Sequence, residues 1–447
     1  MISVRWVNYA RALIIALAVA CPAHASDVDI LIDKLVSKGI LTRADALELA
    51  ADIAHESNAS SSVSFGSDVG SGVVPDVVSN VVSDVNAAPA ASVMIPDDRG
   101  WWNRFSLTGD LRVRHEREEL DIAPGDDGLD LAERDRWRIR WRAGMVTEVS
   151  DQWEVGFGLA SGGPDGRSSN QTLRRGFSTG DARLDYAYAR YIASENISLL
   201  AGKFKNPLWR PKDLLWDSDL RPEGVAMPMA FTLGSDIQAF VTPAYLVLSE
   251  QVTGSREDSS MLVIQAGATF NLSDSIALKV APSYYNFSGL KGHSGPVTVD
   301  IPSNTRDGLG NLRNDYDAVT LGAQLNIIGS ELVPRLSIFG EWVRAFDSDT
   351  DETGWMLGIS FGDAKVAALG DWRFRYNYRR LEADAWPEFL PDSDHLFGAT
   401  NVKGSEFEFA LGLAERVNLS VDYYSHVEFL GTEIHQDLFQ IDLNVKW

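Results

Sequence analysis

From residue 101 to residue 447 the chain is a succession of short segments in which apolar and polar residues alternate. The last nine residues, 439–447, follow this pattern without a break and end on Trp447. Alternation with a period of two places apolar side chains on one face of a β-strand and polar side chains on the other. A helix cannot produce this period. The pattern therefore predicts strands that separate an apolar phase from water.

Several of these segments carry arginine on their polar face. Segment 134–149 has arginine at alternate positions opposite Trp137 and Trp141, and segments 105–114 and 371–380 repeat the arrangement. An arginine on a lipid-facing wall costs about 2–4 kcal/mol at the membrane midplane, so the polar faces are expected to line a wet interior. The arginines concerned are Arg112, Arg114, Arg136, Arg138, Arg140, Arg142, Arg373, Arg375 and Arg379.

Sixteen alternating segments occur in this part of the chain. The predicted strands are 105–117, 134–149, 152–160, 183–193, 196–204, 224–233, 236–248, 260–272, 275–288, 315–328, 334–346, 354–363, 370–382, 404–414, 417–430 and 435–447.

The connections between the predicted strands alternate in length. Those after even-numbered strands are mostly short turns, and those after odd-numbered strands are mostly long and polar. The turn near 364–369 and the short loop near 431–434 depart from this rule. An even number of strands with this rhythm is typical of outer-membrane barrels. The sequence predicts an all-β transmembrane fold, an antiparallel outer-membrane β-barrel of about 16 strands within residues 100–447.

The first residues predict export. Residues 1–25 combine Arg5 and Arg11 with a short apolar run and a small-x-small motif that ends at Ala25, which is typical of a secretory signal peptide. Lipidation of Cys21 after a lipobox is the alternative. Because Cys21 is the only cysteine, cleavage after Ala25 leaves none for disulfides or for zinc sites.

Two further regions precede the predicted barrel. Residues 26–56 predict a helical hairpin, in which Gly39 ends the first helix and Thr42 caps the second. Residues 57–99 are rich in Ser, Val, Asp, Gly, Ala and Pro and contain no lysine or arginine before position 99. This composition predicts a flexible, disordered linker. Both regions are expected to lie in the periplasm.

Composition excludes several functional classes. The chain has 63 acidic and 40 basic residues and a net charge of −23, which argues against nucleic-acid binding. The mature chain has no run of 18 apolar residues and is therefore not a helical membrane protein. Metalloprotease, nucleophile-elbow and phosphate-loop motifs are absent, and the seven histidines are scattered. We expect no enzyme activity, cofactor or metal; a barrel with a catalytic site at the membrane interface is the enzymatic alternative.

A barrel of this size encloses an aqueous lumen, and the segment 205–223 is the candidate for a loop that folds into it. The segment is rich in Pro and Trp, which suits a rigidly packed loop. An acidic loop facing the wall arginines would create a transverse field that selects solutes. The alternative is that these arginines are paired with nearby carboxylates and select nothing. The constriction candidates are Arg112, Arg114, Arg136, Arg138, Arg140, Arg142, Asp213, Asp217, Asp219 and Glu223.

Several motifs resemble those of the proteobacterial "putative porin" family. The run Ala201–Trp209 with its continuation Leu215–Val225 is similar to the central signature of that family, and Gly163–Leu173 with Asp185–Ala189 is similar to another stretch. The hairpin around Leu35–Thr42 resembles the helical segment that precedes such barrels. The resemblance covers most of residues 27–447, but not the long linker, and the terminal Trp replaces the more usual Phe.

The resemblance implies an outer-membrane porin for passive diffusion of small hydrophilic solutes and ions in a Gram-negative bacterium. It implies contact with outer-membrane lipids and lipopolysaccharide. A homotrimer is expected by analogy with the fold alone. The alternative function is an outer-membrane anchor whose N-terminal hairpin binds a periplasmic or cell-wall partner.

Overall fold

A computed structural model describes residues 104–122, 130–174, 176–177, 179–250, 258–297, 299, 301–331, 333–348, 350–428 and 434–447. The signal peptide, hairpin and linker predicted before the barrel lie outside these residues. The described residues form one closed sheet in which every strand pairing is antiparallel. None of them forms a helix long and apolar enough to cross a membrane.

The sheet consists of eighteen strand segments. They are β1 (Phe105–Ile122), β2 (Asp130–Ser150), β3 (Trp153–Ser161), β4 (Gln171–Thr172), β5 (Ala182–Ser194), β6 (Ile197–Lys203), β7 (Glu223–Ala226), β8 (Met229–Leu233), β9 (Ile237–Ser249), β10 (Ser259–Ser273), β11 (Ile276–Ser288), β12 (Ala318–Ile328), β13 (Arg335–Ala345), β14 (Thr353–Gly362), β15 (Trp372–Leu381), β16 (Val402–Ala414), β17 (Val417–Glu428) and β18 (Ile434–Lys446).

These segments make a wall of sixteen strands, which confirms the predicted fold. The two-residue β4 only touches β2 at Arg138 and Ile139, and β7 and β8 together make one strand opposite β9. That strand is interrupted at Met227 and Pro228, because proline has no N–H to donate to the ladder.

The barrel closes between its first and last strands. β1 pairs with β18 from Asp110 opposite Lys446 to Ile122 opposite Ile434. β1 continues beyond its predicted last residue, 117, and β2 begins before its predicted first residue, 134. In the added part of β1, Glu118 and Glu119 break the alternation. Pairing between backbones continues there because it requires no apolar face. The closed seam leaves no unpaired edge in the wall.

Side chains alternate across the wall as the sequence predicts. Trp137 and Trp141 lie on the outside, where Trp137 is 54% exposed. Arg138 and Arg140 point inwards and form ion pairs with Glu116 at 3.1 Å and Asp110 at 2.8 Å. The outer face is therefore apolar and the inner face is charged.

Connecting segments fill part of the interior. Residues 204–222, 289–317 and 382–401 bring apolar side chains into a buried cluster with the inner faces of the strands. Fully buried members from these segments are Phe204, Leu214, Leu215, Leu290, Leu312, Tyr316, Trp386 and Leu396. The interior of the barrel is thus partly filled by packed loops.

The terminal residue completes the closing seam. The Trp447 N–H donates to the Gly109 carbonyl and the Gly109 N–H donates to the Trp447 carbonyl, both at 3.1 Å. A side chain at position 109 would clash with the indole Cζ2 atom of Trp447. The indole ring therefore lies directly against Gly109 on the outer face.

We expect Trp447→Asp to reduce assembly into the membrane strongly, since it removes this contact and places a charge where aromatic girdles anchor barrels. Trp447→Phe is the matched control and should assemble nearly normally. Outer-membrane levels and heat-modifiable mobility in gels measure the effect. Normal levels and mobility of Trp447→Asp would contradict the assignment.

Candidate functional site

The segment between β6 and β7, residues 204–222, lies inside the barrel and is called the inner loop. Its Trp209 N–H donates to the side-chain oxygen of Gln265 at 2.7 Å, and the Gln265 amide donates to the Trp209 carbonyl at 2.8 Å. The same amide donates to the Ser283 hydroxyl at 3.0 Å. One wall side chain on β10 thus satisfies both backbone groups of a buried loop residue, which a loop away from water requires.

Aromatic contacts reinforce this attachment. The Lys279 Nζ atom lies 4.8 Å from the ring centroid of Trp209 and 5.1 Å from that of Phe240. Cation–π contacts of this kind stabilise by about 0.5–2 kcal/mol, with the larger values when water is excluded. The inner loop is therefore fixed against the wall formed by β9, β10 and β11.

Residues 382–401, between β15 and β16, form a second inner loop that is joined to the first. The Trp386 indole N–H donates to the Leu215 carbonyl at 2.7 Å, and the Asp217 N–H donates to the Leu390 carbonyl at 2.7 Å. The Asp217 carboxylate accepts from the Ser393 N–H at 2.9 Å. Burial, together with the nearby carboxylates of Asp392 and Asp219, raises the pKa of Asp217 well above its ordinary value.

A cavity of about 780 Å³ lies between the inner loop and the wall. Among its lining side chains, eleven are arginine or lysine and three are aspartate. The cations are Arg112, Arg140, Arg142, Lys205, Arg210, Lys212, Arg221, Arg335, Lys365, Arg373 and Arg375, and the aspartates are Asp213, Asp219 and Asp363. Cations come from both the wall and the inner loop.

Most of the wall cations that line the cavity form ion pairs with carboxylates. Arg142 lies 2.7 Å from Asp110 and 3.0 Å from Asp219 of the inner loop. On the β15 side, Arg373 and Arg375 each lie 2.8 Å from Glu408. The charges of such pairs partly neutralise each other, and the pair of Arg142 with Asp219 also joins the wall to the inner loop.

Three lining cations are not paired in this way. Within the described part of the chain, no carboxylate oxygen lies within 4.0 Å of the side-chain nitrogens of Lys205, Arg210 or Lys365. Lys205 is exposed in the cavity and Arg210 is half-buried on the same loop, while Lys365 belongs to the turn between β14 and β15. Desolvation inside the barrel, together with the nearby guanidinium groups of Arg221 and Arg142, lowers the pKa of Lys205.

The structure brings half of the predicted site residues to this cavity. They are Arg112, Arg140, Arg142, Asp213 and Asp219. Of the others, Arg114 is buried against Asp442 at 2.7 Å, and Arg136 and Arg138 pair with Glu116.

The two remaining acidic candidates also lie away from the cavity lining. Asp217 is buried between the two inner loops, and Glu223 begins β7, where it pairs with Lys203 at 2.6 Å. The inner loop contributes four cations and two carboxylates to the lining. The cavity is therefore basic on both sides, whereas the sequence suggested an acidic loop opposite a basic wall.

Some of the residues that line the cavity were not among the constriction candidates predicted from the sequence. Arg373 and Arg375 alternate on the polar face of a predicted strand, so their inward orientation was already implied by their period. In the inner loop, the acidic candidates predicted from the sequence are interspersed with cations, namely Lys205, Arg210, Lys212 and Arg221. No sequence signal shows which of them is paired.

Comparison with known proteins places the chain among outer-membrane channels. A model of the family described as "Putative porin" matches residues 122–316 and 341–447, more than half of the chain. The chain is similar in structure to OprB of Pseudomonas putida, solved at high pH, with 11% identity, a TM-score of 0.50, and coverage of 80% of this chain and 99% of that one.

Two further solved structures are similar at lower scores. The outer-membrane channel DcaP of Acinetobacter baumannii has 13% identity and a TM-score of 0.44, with coverage of 77% of this chain and 97% of that one. A mutant of the Rh. blastica porin has 12% identity and a TM-score of 0.41, with coverage of 77% and 100%. Comparison with curated proteins finds no match. At these identities the structural likeness shows the fold alone.

The attachment of the inner loop can be tested at Gln265. We expect Gln265→Leu to loosen the loop, because the buried Trp209 N–H and carbonyl lose their partner at a cost of about 1–3 kcal/mol each. The measurement is single-channel current, which should become noisier, together with the temperature of barrel unfolding, which should fall. Thr269→Val, a buried inward-facing change on the same strand, is the control. Quiet currents and an unchanged unfolding temperature in Gln265→Leu would contradict the anchoring role.

Proposed function

This chain belongs to the "Putative porin" family, and we propose that the outer-membrane channel it forms prefers anions among the small solutes that diffuse through it. The family and the sixteen-stranded fold are those of a passive channel in the outer membrane of a Gram-negative bacterium rather than of an enzyme. The family and the fold do not specify which ions pass, and the preference for anions is what we add to them.

The observation that carries the proposal is the surplus of cations around the cavity. Eleven lining side chains are basic and three are acidic. Charges that line a narrow passage act directly on a permeating ion, because the low-dielectric wall focuses their field. Charges farther than about 8–10 Å away are largely screened at physiological ionic strength. The net charge of −23 therefore does not decide the selectivity.

The unpaired cations have the largest effect on a permeating ion. A pair such as Arg142 and Asp219 acts at a distance as a dipole, whereas no carboxylate oxygen lies within 4.0 Å of the side-chain nitrogens of Lys205 or Arg210 in the described part of the chain. Arg210 is attracted only by the more distant carboxylates of Glu341, Asp213 and Asp217. At an effective dielectric constant of ~20, one such charge attracts an anion ~8 Å away by about 2 kcal/mol before screening. An anion also offsets the repulsion of Lys205 by Arg221 and Arg142, which after desolvation is the main reason for its lowered pKa. We assign the preference for anions mainly to Lys205 and Arg210.

The remaining expectations from the sequence complete the proposal. Residues 1–25 are removed as a signal peptide, and the hairpin 26–56 and linker 57–99 extend into the periplasm from the barrel within residues 100–447. The barrel assembles as a homotrimer and contacts lipopolysaccharide on its outer face. The channel requires no cofactor. The alternative, an anchor that binds a periplasmic or cell-wall partner through the hairpin, would have no stable conductance.

The role of the unpaired cations is tested by the double variant Lys205→Gln, Arg210→Gln. We expect its anion-to-cation permeability ratio to fall by roughly threefold or more, since a threefold change corresponds to about 0.65 kcal/mol. The ratio is obtained from the reversal potential of bilayer currents in a potassium chloride gradient.

The matched control is Lys203→Gln, two residues before Lys205, where the lysine pairs with Glu223 outside the cavity. This variant should keep the wild-type ratio. A ratio that is unchanged in the double variant, or that shifts equally in the control, would contradict the assignment to Lys205 and Arg210.

The hairpin and linker should be dispensable for the pore. We expect a chain in which the signal peptide is joined near Arg99 to insert and to conduct like the full chain, since residues 27–99 lack the alternation needed for wall strands. Outer-membrane levels, oligomeric state and single-channel conductance are measured. Loss of insertion would contradict this expectation and give the hairpin a role in assembly.

A further inference from the structure

Two histidines meet in the barrel interior, where His395 lies close to Asp213 of the cavity lining. His395 belongs to the second inner loop and His426 to β17, and each is 2% exposed. The Nδ1 atom of His395 lies 2.7 Å from the Nε2 atom of His426, and the ring centroids are 4.3 Å apart with the rings nearly perpendicular.

The close contact fixes how many protons the pair can hold. A nitrogen–nitrogen hydrogen bond contains one proton, so one ring donates and the other must present a bare nitrogen. If both rings are imidazolium, two N–H groups face each other and two positive charges lie in contact. The pair therefore tolerates one positive charge at most.

The other nitrogen of His395 shows where the first charge resides. Its Nε2 atom lies 3.2 Å from an Asp392 oxygen and 3.4 Å from a Glu406 oxygen, at angles that give no good hydrogen bond. Burial and Arg379 lower the pKa of His395, but Asp392 and Glu406 outweigh them and raise it overall. His395 thus takes the first proton, and a further proton has to enter at His426.

The surroundings add charges of both signs. Asp213 of the inner loop and Glu406 of β16 are held by Lys212 and by Arg379 of β15, with distances of 2.7–3.4 Å. Within the second inner loop, Asp394 pairs with Arg114 of β1 at 3.3 Å. Tyr424 of β17 lies beside His395, with ring centroids 4.9 Å apart.

The same cluster has the residue types of a metal site. One ligand atom each from Asp213, His395 and Glu406 lie within 4.8 Å of one another. However, Lys212 and Arg379 already bind both carboxylates, so a divalent cation would have to displace two fixed positive charges. The electrostatics favour a proton-responsive contact over a metal site.

The pair is placed to control the second inner loop. Beside it, the Leu396 N–H donates to the side-chain oxygen of Gln436 at 2.7 Å. Leu396 and Phe397 have φ angles of 46° and 60°, a left-handed conformation that is strained for non-glycine residues and persists only while contacts enforce it. Separation of the histidines would release a strained turn.

We propose that the His395–His426 pair is an acid-sensitive latch, which holds the second inner loop against the wall at neutral pH and releases it when both rings are protonated. Release loosens the contacts of this loop with Leu215 and Asp217 of the inner loop. The inner loop can then move, which widens the cavity between it and the wall. The release of the second inner loop does not depend on the protein being a channel. The effect of this release on current rests on the proposed channel function.

The test uses the full-length protein in bilayers between pH 7.5 and pH 5. We expect a stepwise rise in single-channel conductance with a midpoint below about 6.5, the ordinary histidine pKa, because charge repulsion opposes the second proton. Cleavage of residues 382–401 by an added protease should increase over the same pH range and does not depend on conduction. Variants His426→Gln and His395→Gln should lose both transitions.

The exposed His435 on β18 provides the matched control, and His435→Gln should keep both transitions. Each variant is first compared with wild type at pH 7.5 for heat-modifiable mobility, so that misfolding is recognised. Persistence of the transitions in His426→Gln, or their absence in wild type, would overturn the latch. A response to zinc at pH 7.5 without one to acid would also overturn it and favour a metal site. Acid-dependent cleavage without conductance at any pH would contradict the channel function but leave the latch intact.

Discussion

The fold depends on one requirement, that every backbone N–H and C=O group in the apolar phase finds a partner within the protein. Strands satisfy it only by closing into a cylinder, which here occurs where β1 meets β18. Closure forces alternate side chains into an interior that contains water. Because arginine is costly on the outer face, the wall arginines collect inside, where Asp110, Glu408 and Asp442 pair with them.

The same requirement governs the loops that enter the barrel. A chain segment that leaves water must satisfy its own backbone groups, and here side chains or a neighbouring loop supply the partners. The Gln265 side chain bonds both the N–H and the carbonyl of Trp209, and the Leu390 carbonyl accepts from the Asp217 N–H. The two inner loops consequently hold each other, so a change in one is transmitted to the other. In the proposed latch, these contacts carry a change at the histidine pair to the inner loop, which lines the cavity.

Much of the wall was predictable from the sequence, because period-two alternation is a local signal that each strand carries by itself. All sixteen wall strands follow it, and the deviations have local causes, such as Pro228 within the sixth wall strand and Glu118 and Glu119 at the end of β1. The orientation of Arg140 and Arg142 followed from the same period.

The interior was less predictable, because it depends on contacts between residues far apart in the chain. The pairing of Asp219 with Arg142, 77 residues apart, removes a charge that the sequence alone presents as available. The buried position of Asp217 and the contact of His395 with His426 have the same origin. Sequence alternation shows which face a residue occupies, whereas the net charge of the cavity depends on which partners reach it.

The central claim is that lining charges, and not the total charge of −23, determine which ions pass. The most direct measurement is the reversal potential of the unmodified, full-length channel in a planar bilayer with a potassium chloride gradient at neutral pH. The account predicts a potential whose sign corresponds to a preference for chloride, and a preference that weakens as salt screens the lining charges. A potential of the opposite sign, which means a preference for potassium, would contradict it.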